Sequence, residues 1–350
     1  MYKYTWTILC LIIINGLFDS DIQKVQASSL FVRQNKLTSQ SSKPKPVTSP
    51  LFRIVKNGKY GFIDKTGKIV IEPQFDLAWS FIDERAQIKI NDKYGYIEPT
   101  GKLIIPPQFR LAFAFSNKLA LVVVEDKYGY INTNGKLVIP PQFEEALAFK
   151  NGLAAVKIDE KWGYIDLSGK LVIQPQYEQA LHFNEGLAAV KINNRWGYIN
   201  SQGHIVIQPK FEEILGFSQG LAAVKIGDKY GYINQSGQIV ILPKFDEAWE
   251  FTENLAVVKS GNKWGYINPS GERVIAPKFD MVTSFSEGLA AVKVDNKYGY
   301  IDTQGKIVIQ PQFDLALSFK NELALVYLDG KAGYINKTGE FIWTPSNYYY

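Results

Sequence analysis

The sequence predicts an all-β fold of tandem 34-residue units. Each unit is a three-stranded β-meander, and the units are joined as an open solenoid or superhelix, with a closed propeller-like ring as the alternative. Three observations lead there. Glycine recurs at one spacing, at Gly61, Gly95, Gly129, Gly163, Gly197, Gly231, Gly265, Gly299 and Gly333, every interval being 34. The chain is 46% hydrophobic and 14% aromatic, with aromatic and β-branched runs set between Gly, Asn and Asp clusters, the composition of strands and turns. A 350-residue chain is long for one compact domain unless it is a repeat array.

One unit read in full is Leu153 to Gly186. Leu153–Ile158 is apolar with one lysine and reads as a first strand. Asp159-Glu160 follows, and the same two positions hold Asn57-Gly58, Asn91-Asp92, Gly261-Asn262 and Asp329-Gly330 elsewhere. These residues tolerate positive φ, so a two-residue hairpin leads into a second strand, Lys161–Asp166. Asp166-Leu167-Ser168-Gly169 suits a type I turn with a left-handed glycine, closing a second hairpin onto Leu171-Val172-Ile173. Pro175 is expected to end that third strand, because proline cannot donate to a ladder. Then an aromatic, an alanine and a phenylalanine recur three apart, as in Phe75/Ala78/Phe81 and Phe313/Ala316/Phe319. That spacing predicts a connecting turn of 3₁₀ or short α-helix with one apolar edge.

A lone meander cannot bury its apolar face, whereas stacking on neighbours does so. Leu51–Lys56 already occupies the first-strand register, and the ninth copy ends near Trp343 without a connector. No strand is left over to pair the two ends, which favours the open array over the ring.

The termini read differently. Residues 1–27 have the layout of a secretory signal peptide: Lys3, an apolar Trp6–Phe18 stretch too short for a span of ~20 residues, and Val25-Gln26-Ala27 before Ser28. An uncleaved membrane anchor is the alternative. A lipid anchor at Cys10 fits poorly, since the cysteine lies early in the apolar stretch behind the bulky Leu9. Residues 28–50 are Ser-, Gln-, Lys- and Pro-rich without hydrophobic periodicity and read as a disordered linker. Residues 51–345 hold the nine repeats and 346–350 a tail. The expected location is therefore secreted or periplasmic. Cys10 is the single cysteine, so no disulfide forms within the chain.

Net charge is +5, but Arg33, Lys36, Lys43 and Lys45 in the linker carry +4 of it. A nearly neutral repeat region argues against nucleic acid as the partner.

At Lys161-Trp162-Gly163-Tyr164-Ile165, Arg195–Ile199 and Lys263–Ile267 the chain resembles the WG-repeat family, also called KWG repeats. Copies starting at Lys59, Lys93, Lys127, Lys229 and Lys297 carry tyrosine in place of tryptophan. Lys331-Ala332-Gly333 departs from the pattern, as a capping unit would. The resemblance spans residues 51–345. It implies a bacterial, often exported, β-rich repeat protein with a binding role, and it transfers no catalytic residue.

The chemistry-bearing candidates are few. His182 and His204 occupy different unit positions and form no pair; two solvent-facing polar positions are the simplest account, and neither a triad nor a metal site assembles. Acidic residues follow the connector aromatic, from Asp76 and Glu144 to Asp314, and suit turn capping better than a row of cation sites. Repeated lysines, Lys89 and Lys157 among them, suit cross-strand pairing better than a basic stripe for an acidic polymer. Trp162, Trp196, Trp264, Tyr230 and Tyr298 form an aromatic ladder. It either packs between units, with the repeat glycines allowing close approach, or lies partly exposed and stacks on a ligand. No phosphate loop, nucleophile elbow, metal cluster or cofactor motif is present, and nothing converges around Trp79, Arg85 or Trp249. The expectation is a non-enzymatic exported scaffold without a cofactor, binding a protein or peptide. The rival is a cell-envelope glycan module using the ladder, and a rigid spacer attached through its linker is a third possibility.

Overall fold

The computed structural model describes residues 50–344. The signal segment, nearly all of the linker and the 346–350 tail lie outside the described residues.

The repeats form nine small antiparallel sheets, here called blades. The hairpins are as the turn residues require. Leu153–Ile158 pairs with Lys161–Asp166 through Asp159 and Glu160, at φ 48° and 62°. Asp166 Oδ1 accepts the Ser168 and Lys170 N–H groups inside the next turn, and Gly169 sits at φ 86°.

Two local expectations are corrected. Pro175 does not end the third strand, which runs Leu171–Tyr177. The strand lies at the edge of its blade, where the missing N–H leaves no ladder bond unmade. It bulges there, with Trp162 opposite Tyr177 but Tyr164 opposite Ile173. The bulge explains the repeat glycine. A Cβ on Gly163 would lie 2.5 Å from the Ile173 carbonyl oxygen and 2.7 Å from Pro175 N.

The connector is a strand rather than a 3₁₀ or helical turn. In the fifth blade it is Gln179–Asn184, and it pairs with Leu187–Ile192 of the following repeat. Its inward residues are three apart because the strand is bulged: Ala180 faces Val190 and Phe183 faces Ala188. Seven of the eight connectors pair as strands, three of them over six residues with this bulge and four over two residues only. In the sixth blade only two isolated bridges remain, Ile214 to Val224 and Ser218 to Leu221.

Consecutive blades share one core. Tyr164 is fully buried, packs edge-on against Phe183 of the next blade at 4.8 Å, and donates its hydroxyl to the Leu181 carbonyl at 2.8 Å. Burial raises its pKa, so the donor stays protonated.

The open array is also corrected, in favour of the ring. Phe52, Ile54 and Ile63 of the first blade share a buried cluster with Leu323 and Tyr334 of the ninth. Tyr334 donates to the Arg53 carbonyl at 2.9 Å, and Lys65 pairs with Glu322 at 3.1 Å. No strand is exchanged, as the sequence required. Blades 1 and 9 close by packing their faces.

Candidate functional site

The aromatic ladder belongs to the interior. Trp162, Trp196, Tyr230 and Tyr298 are at most 9% exposed. Trp264 is half-buried beneath Trp249, with ring centroids 5.3 Å apart. Each ladder residue packs in an inter-blade cluster, Trp196 with Tyr198 and Phe217, Tyr298 with Tyr300 and Phe319. Trp79 lies against Tyr94 at 5.6 Å, and the Arg85 guanidinium bonds the Glu84 carbonyl.

The repeated charges hold blades together. Asp246 takes Lys229 from the blade before it and the Gly261 N–H from its own blade's turn, at 2.5 and 2.6 Å. Those bonds hold its carboxyl below the usual range, with Lys229 the largest influence. Asp314 does the same with Lys297. At one step the charges are exchanged: Arg110 stands in the acid's place and pairs with Asp126 of the turn. The first-strand lysines cover the ladder, Lys259 lying 5.2 Å from the Trp264 centroid while bonding Glu247 at 2.7 Å. On the opposite end, connector turns bond in series: Glu185 accepts the Gly220 N–H, Glu253 that of Gly288 and Glu287 that of Glu322.

What the repeat does not account for gathers on the connector strands. Their second outward register holds Ile82, Ser116, Lys150, Asn184, Ser218, Thr252, Ser286 and Lys320. Ser116, Ser218 and Ser286 donate to the phenylalanine carbonyl of the next connector, at 2.6 to 2.7 Å. Lys150 breaks that pattern. Two residues earlier in the strand, most blades carry serine or alanine, but blades 5, 6 and 7 carry His182, Gly216 and Glu250.

These departures meet. Lys150 of blade 4 acts electrostatically on His182 in blade 5 and on Glu250 three blades away. Asn184 and Glu250, from the connectors of blades 5 and 7, both approach Gly216 of the blade 6 connector, so the connector strands run side by side along the inner wall of the ring. Gly216 has an ordinary φ, so glycine serves here for space. Its missing Cβ would collide with Asn184 Nδ2 and lie 3.2 Å from Glu250 Oε1. The Glu250 carboxyl therefore lies over Gly216, whose backbone N–H favours its charged form. Burial raises its pKa, while Lys150 and that N–H oppose the rise. Burial lowers the His182 pKa, Lys150 lowers it further, and a bond to the Ala148 carbonyl works against both. His182 Nδ1 is buried without a partner among the described residues, so the solvent-facing reading of this histidine is corrected. His204 is exposed on a turn. The sequence signal that could have found this site was the list of departures at one register, not any motif.

Among the described residues no three His, Cys, Asp or Glu side chains could hold a metal ion. No helix there is long and apolar enough to cross a membrane.

Comparison with known proteins agrees with the repeat reading. The family described as WG containing repeat matches eight consecutive segments from residues 60–94 to 298–331. No curated protein matches the chain. Among solved structures, a eukaryotic initiation factor is similar over 84% of this chain and 95% of its own, at 11% identity and a TM-score of 0.62. BamB from Moraxella catarrhalis covers 84% and 90% at 12% identity and a TM-score of 0.41. Kluyveromyces lactis Hsv2p covers 53% and 71% at 12% identity and a TM-score of 0.37. The first likeness concerns the fold alone; the other two carry no argument.

Proposed function

The chain belongs to the WG-containing repeat family, and from that premise we propose that it is a non-catalytic exported scaffold that binds a protein or peptide at the inner wall of its ring. One observation carries the reading. Repeated aromatics and charges are engaged in blade-to-blade contacts, whereas the singular residues His182, Gly216 and Glu250 hold one register of three neighbouring connectors, with Asn184 and Glu250 against Gly216 on the inner wall. Repeat scaffolds recognise partners through such position-specific substitutions on a common surface. Export rests on the signal-like residues 1–27. The burial of Trp162, Trp196, Tyr230 and Tyr298 weighs against a sugar-stacking ladder.

The test is site-specific photo-crosslinking in envelope extracts, with the reactive group placed at Ser284 on the inner wall or at Leu242 on the outer edge. Leu242 is 72% exposed and serves as the control. A discrete protein adduct from Ser284 and not from Leu242 is expected. Adducts from Leu242 alone, or none from either, would remove the inner-wall reading. Co-sedimentation with insoluble cell-wall glycan would replace it with the glycan one.

A further inference from the structure

We propose that the cleft between blades 2 and 3, at the hairpin-turn end of the ring, binds a carboxylate, either the side chain of an aspartate or glutamate or the C-terminal group of a polypeptide. The site is built from third strands and hairpin turns rather than connectors, so it stands apart from the inner-wall reading.

The repeat normally places its own carboxylate here. After the buried aromatic of the third strand, blade 1 and blades 3 to 8 carry an acid, as at Asp76, Glu178 and Asp246. That acid pairs with a cation of the second strand, Lys59 with Asp76 and Lys297 with Asp314. It also accepts an N–H from the hairpin turn of the next blade. Asn91 donates to Asp76 at 2.8 Å, Asn194 to Glu178 at 3.0 Å and Gly261 to Asp246 at 2.6 Å.

Blade 2 has Arg110 in that place. The second-strand cation is still present as Lys93, and it has no ion pair among the described residues. The next turn is Glu125-Asp126, at φ 49° and 61°, and neither of its N–H groups meets an acceptor among the described residues. Two cations and two adjacent turn N–H groups are thus left where the other blades supply a carboxylate. Successive N–H groups of a turn make a concave anion site, and a guanidinium takes a carboxylate through two parallel bonds.

The space for that group is open. A cleft of ≈ 420 Å³ lies here, lined by Lys93, Phe109 and Arg110 from blade 2 and by Val123, Glu125 and Asp126 from blade 3. Phe109 and Val123 are buried and give it an apolar floor, which strengthens charge pairing above it. The Glu125 and Asp126 charges beside the cleft disfavour a dianion such as phosphate and leave room for one carboxylate charge.

Asp126 is the group a ligand must displace. Its Oδ1 takes one Arg110 nitrogen, Nη2, at 2.5 Å. The two side chains are 59% and 85% exposed, and so open a pair contributes little. It leaves the other guanidinium N–H groups and Lys93 unanswered. A carboxylate entering between Lys93 and Arg110 answers both cations and a turn N–H at once.

The amide signals of Glu125 and Asp126 are followed by NMR of the full chain while a probe is added. The probes are acetyl-Gly-Glu-Gly-amide, acetyl-Gly-Gly-Gly with its free carboxylate, acetyl-Gly-Gln-Gly-amide and inorganic phosphate. A carboxylate peptide is expected to move at least one of the two amide protons downfield and saturably, and the glutamine peptide to move neither. A response to the glutamate peptide assigns the site to a side chain, and a response to acetyl-triglycine alone assigns it to a chain end. Arg110→Asp, which copies the other blades, should abolish the response with the melting temperature unchanged or raised. Lys93→Met should weaken binding about tenfold, the effect of losing one charged partner. Asp126→Asn keeps the N–H, removes the competing charge and should tighten binding several-fold. No response to either carboxylate, an equal response to the glutamine peptide, or tighter binding of phosphate would overturn the proposal. So would unchanged affinity in Lys93→Met or weaker binding in Asp126→Asn, and these two variants carry the test even where Arg110→Asp folds poorly. The Ser284 crosslink reads the inner wall and not this cleft, so either reading can fail alone.

Discussion

Eight junctions join consecutive blades, and a ninth closes the ring between the last blade and the first. At the eight, an aromatic of one blade meets the connector phenylalanine of the next, as Tyr164 meets Phe183 and Tyr300 meets Phe319. At the ninth, Tyr334 meets Phe52, at 5.4 Å, and Phe52 belongs to a first strand. Every other blade has alanine in that register, Ala86, Ala188 and Ala324 among them. The closing junction thus fills the same space with a ring delivered from the neighbouring strand. A repeat array can close without a shared strand when one alanine becomes phenylalanine. This places the closure in side-chain volume, where a count of strands cannot see it.

The comparison breaks most severely at Phe52. Phe52→Ala leaves a cavity without a connector ring to fill it, and a loss of ~3–5 kcal/mol is expected in urea denaturation. Hydrogen exchange should rise in Phe52–Lys56 and Ala324–Leu328 while Leu187–Ile192 keeps its protection. An equal rise in all three strands would show that the seam does not open independently. Glycine gives the next contrast. Gly67, at φ 85°, abuts the Ile342 backbone carbonyl, whereas Gly169, at φ 86°, meets the Ile139 side chain at 3.1 Å. Both alanine variants pay a left-handed cost of ~1–2 kcal/mol, but a side chain can shift and a carbonyl held in a strand cannot. Gly67→Ala should therefore melt lower than Gly169→Ala, and equal melting would remove the distinction. Smaller still, Tyr334→Phe and Tyr164→Phe each delete one donor to a part-buried backbone carbonyl. Losses of ~1 kcal/mol are expected for both, which would equate the seam bond with an internal one.

The same contrast explains which parts of the fold were legible in the sequence. Hairpins and period were, because Asp159-Glu160 and Gly169 fix φ locally. The edge strand beyond Pro175 was not, since only position at the edge makes a missing N–H harmless. The connector was misread because a bulge between Ala180 and Phe183 turns a spacing of two into three, which is also the spacing of a 3₁₀ turn. The glycine of the motif was legible as a close approach but was assigned to the contact between units, whereas Gly163 lies beneath the bulged third strand of its own blade. His182 was read as a solvent-facing position because a single departure carries no signal until the ring sets the connectors of blades 5 to 7 side by side.

The smallest effect expected is one of pH, and it separates inner wall from seam. His182 is held below its ordinary value of 6.5, chiefly by burial and further by Lys150. The unfolded chain therefore binds the proton first as pH falls. The stability associated with neutral His182 is complete above pH 6.5 and declines as pH drops toward the folded-state value. Glu250 shifts upward and works in the opposite sense, so the wild-type curve alone mixes the two. The difference between wild type and His182→Gln isolates the histidine. That difference should shrink on acidification below pH 6.5, and Lys150→Met, by removing a like charge, should flatten it. Neither substitution should alter exchange at the seam, where the Tyr334 hydroxyl, pushed up to about 12, keeps its proton throughout. A seam that loosened in step with His182 would mean that the ring opens as one body, and that closure at Phe52 is not the separable event the packing describes.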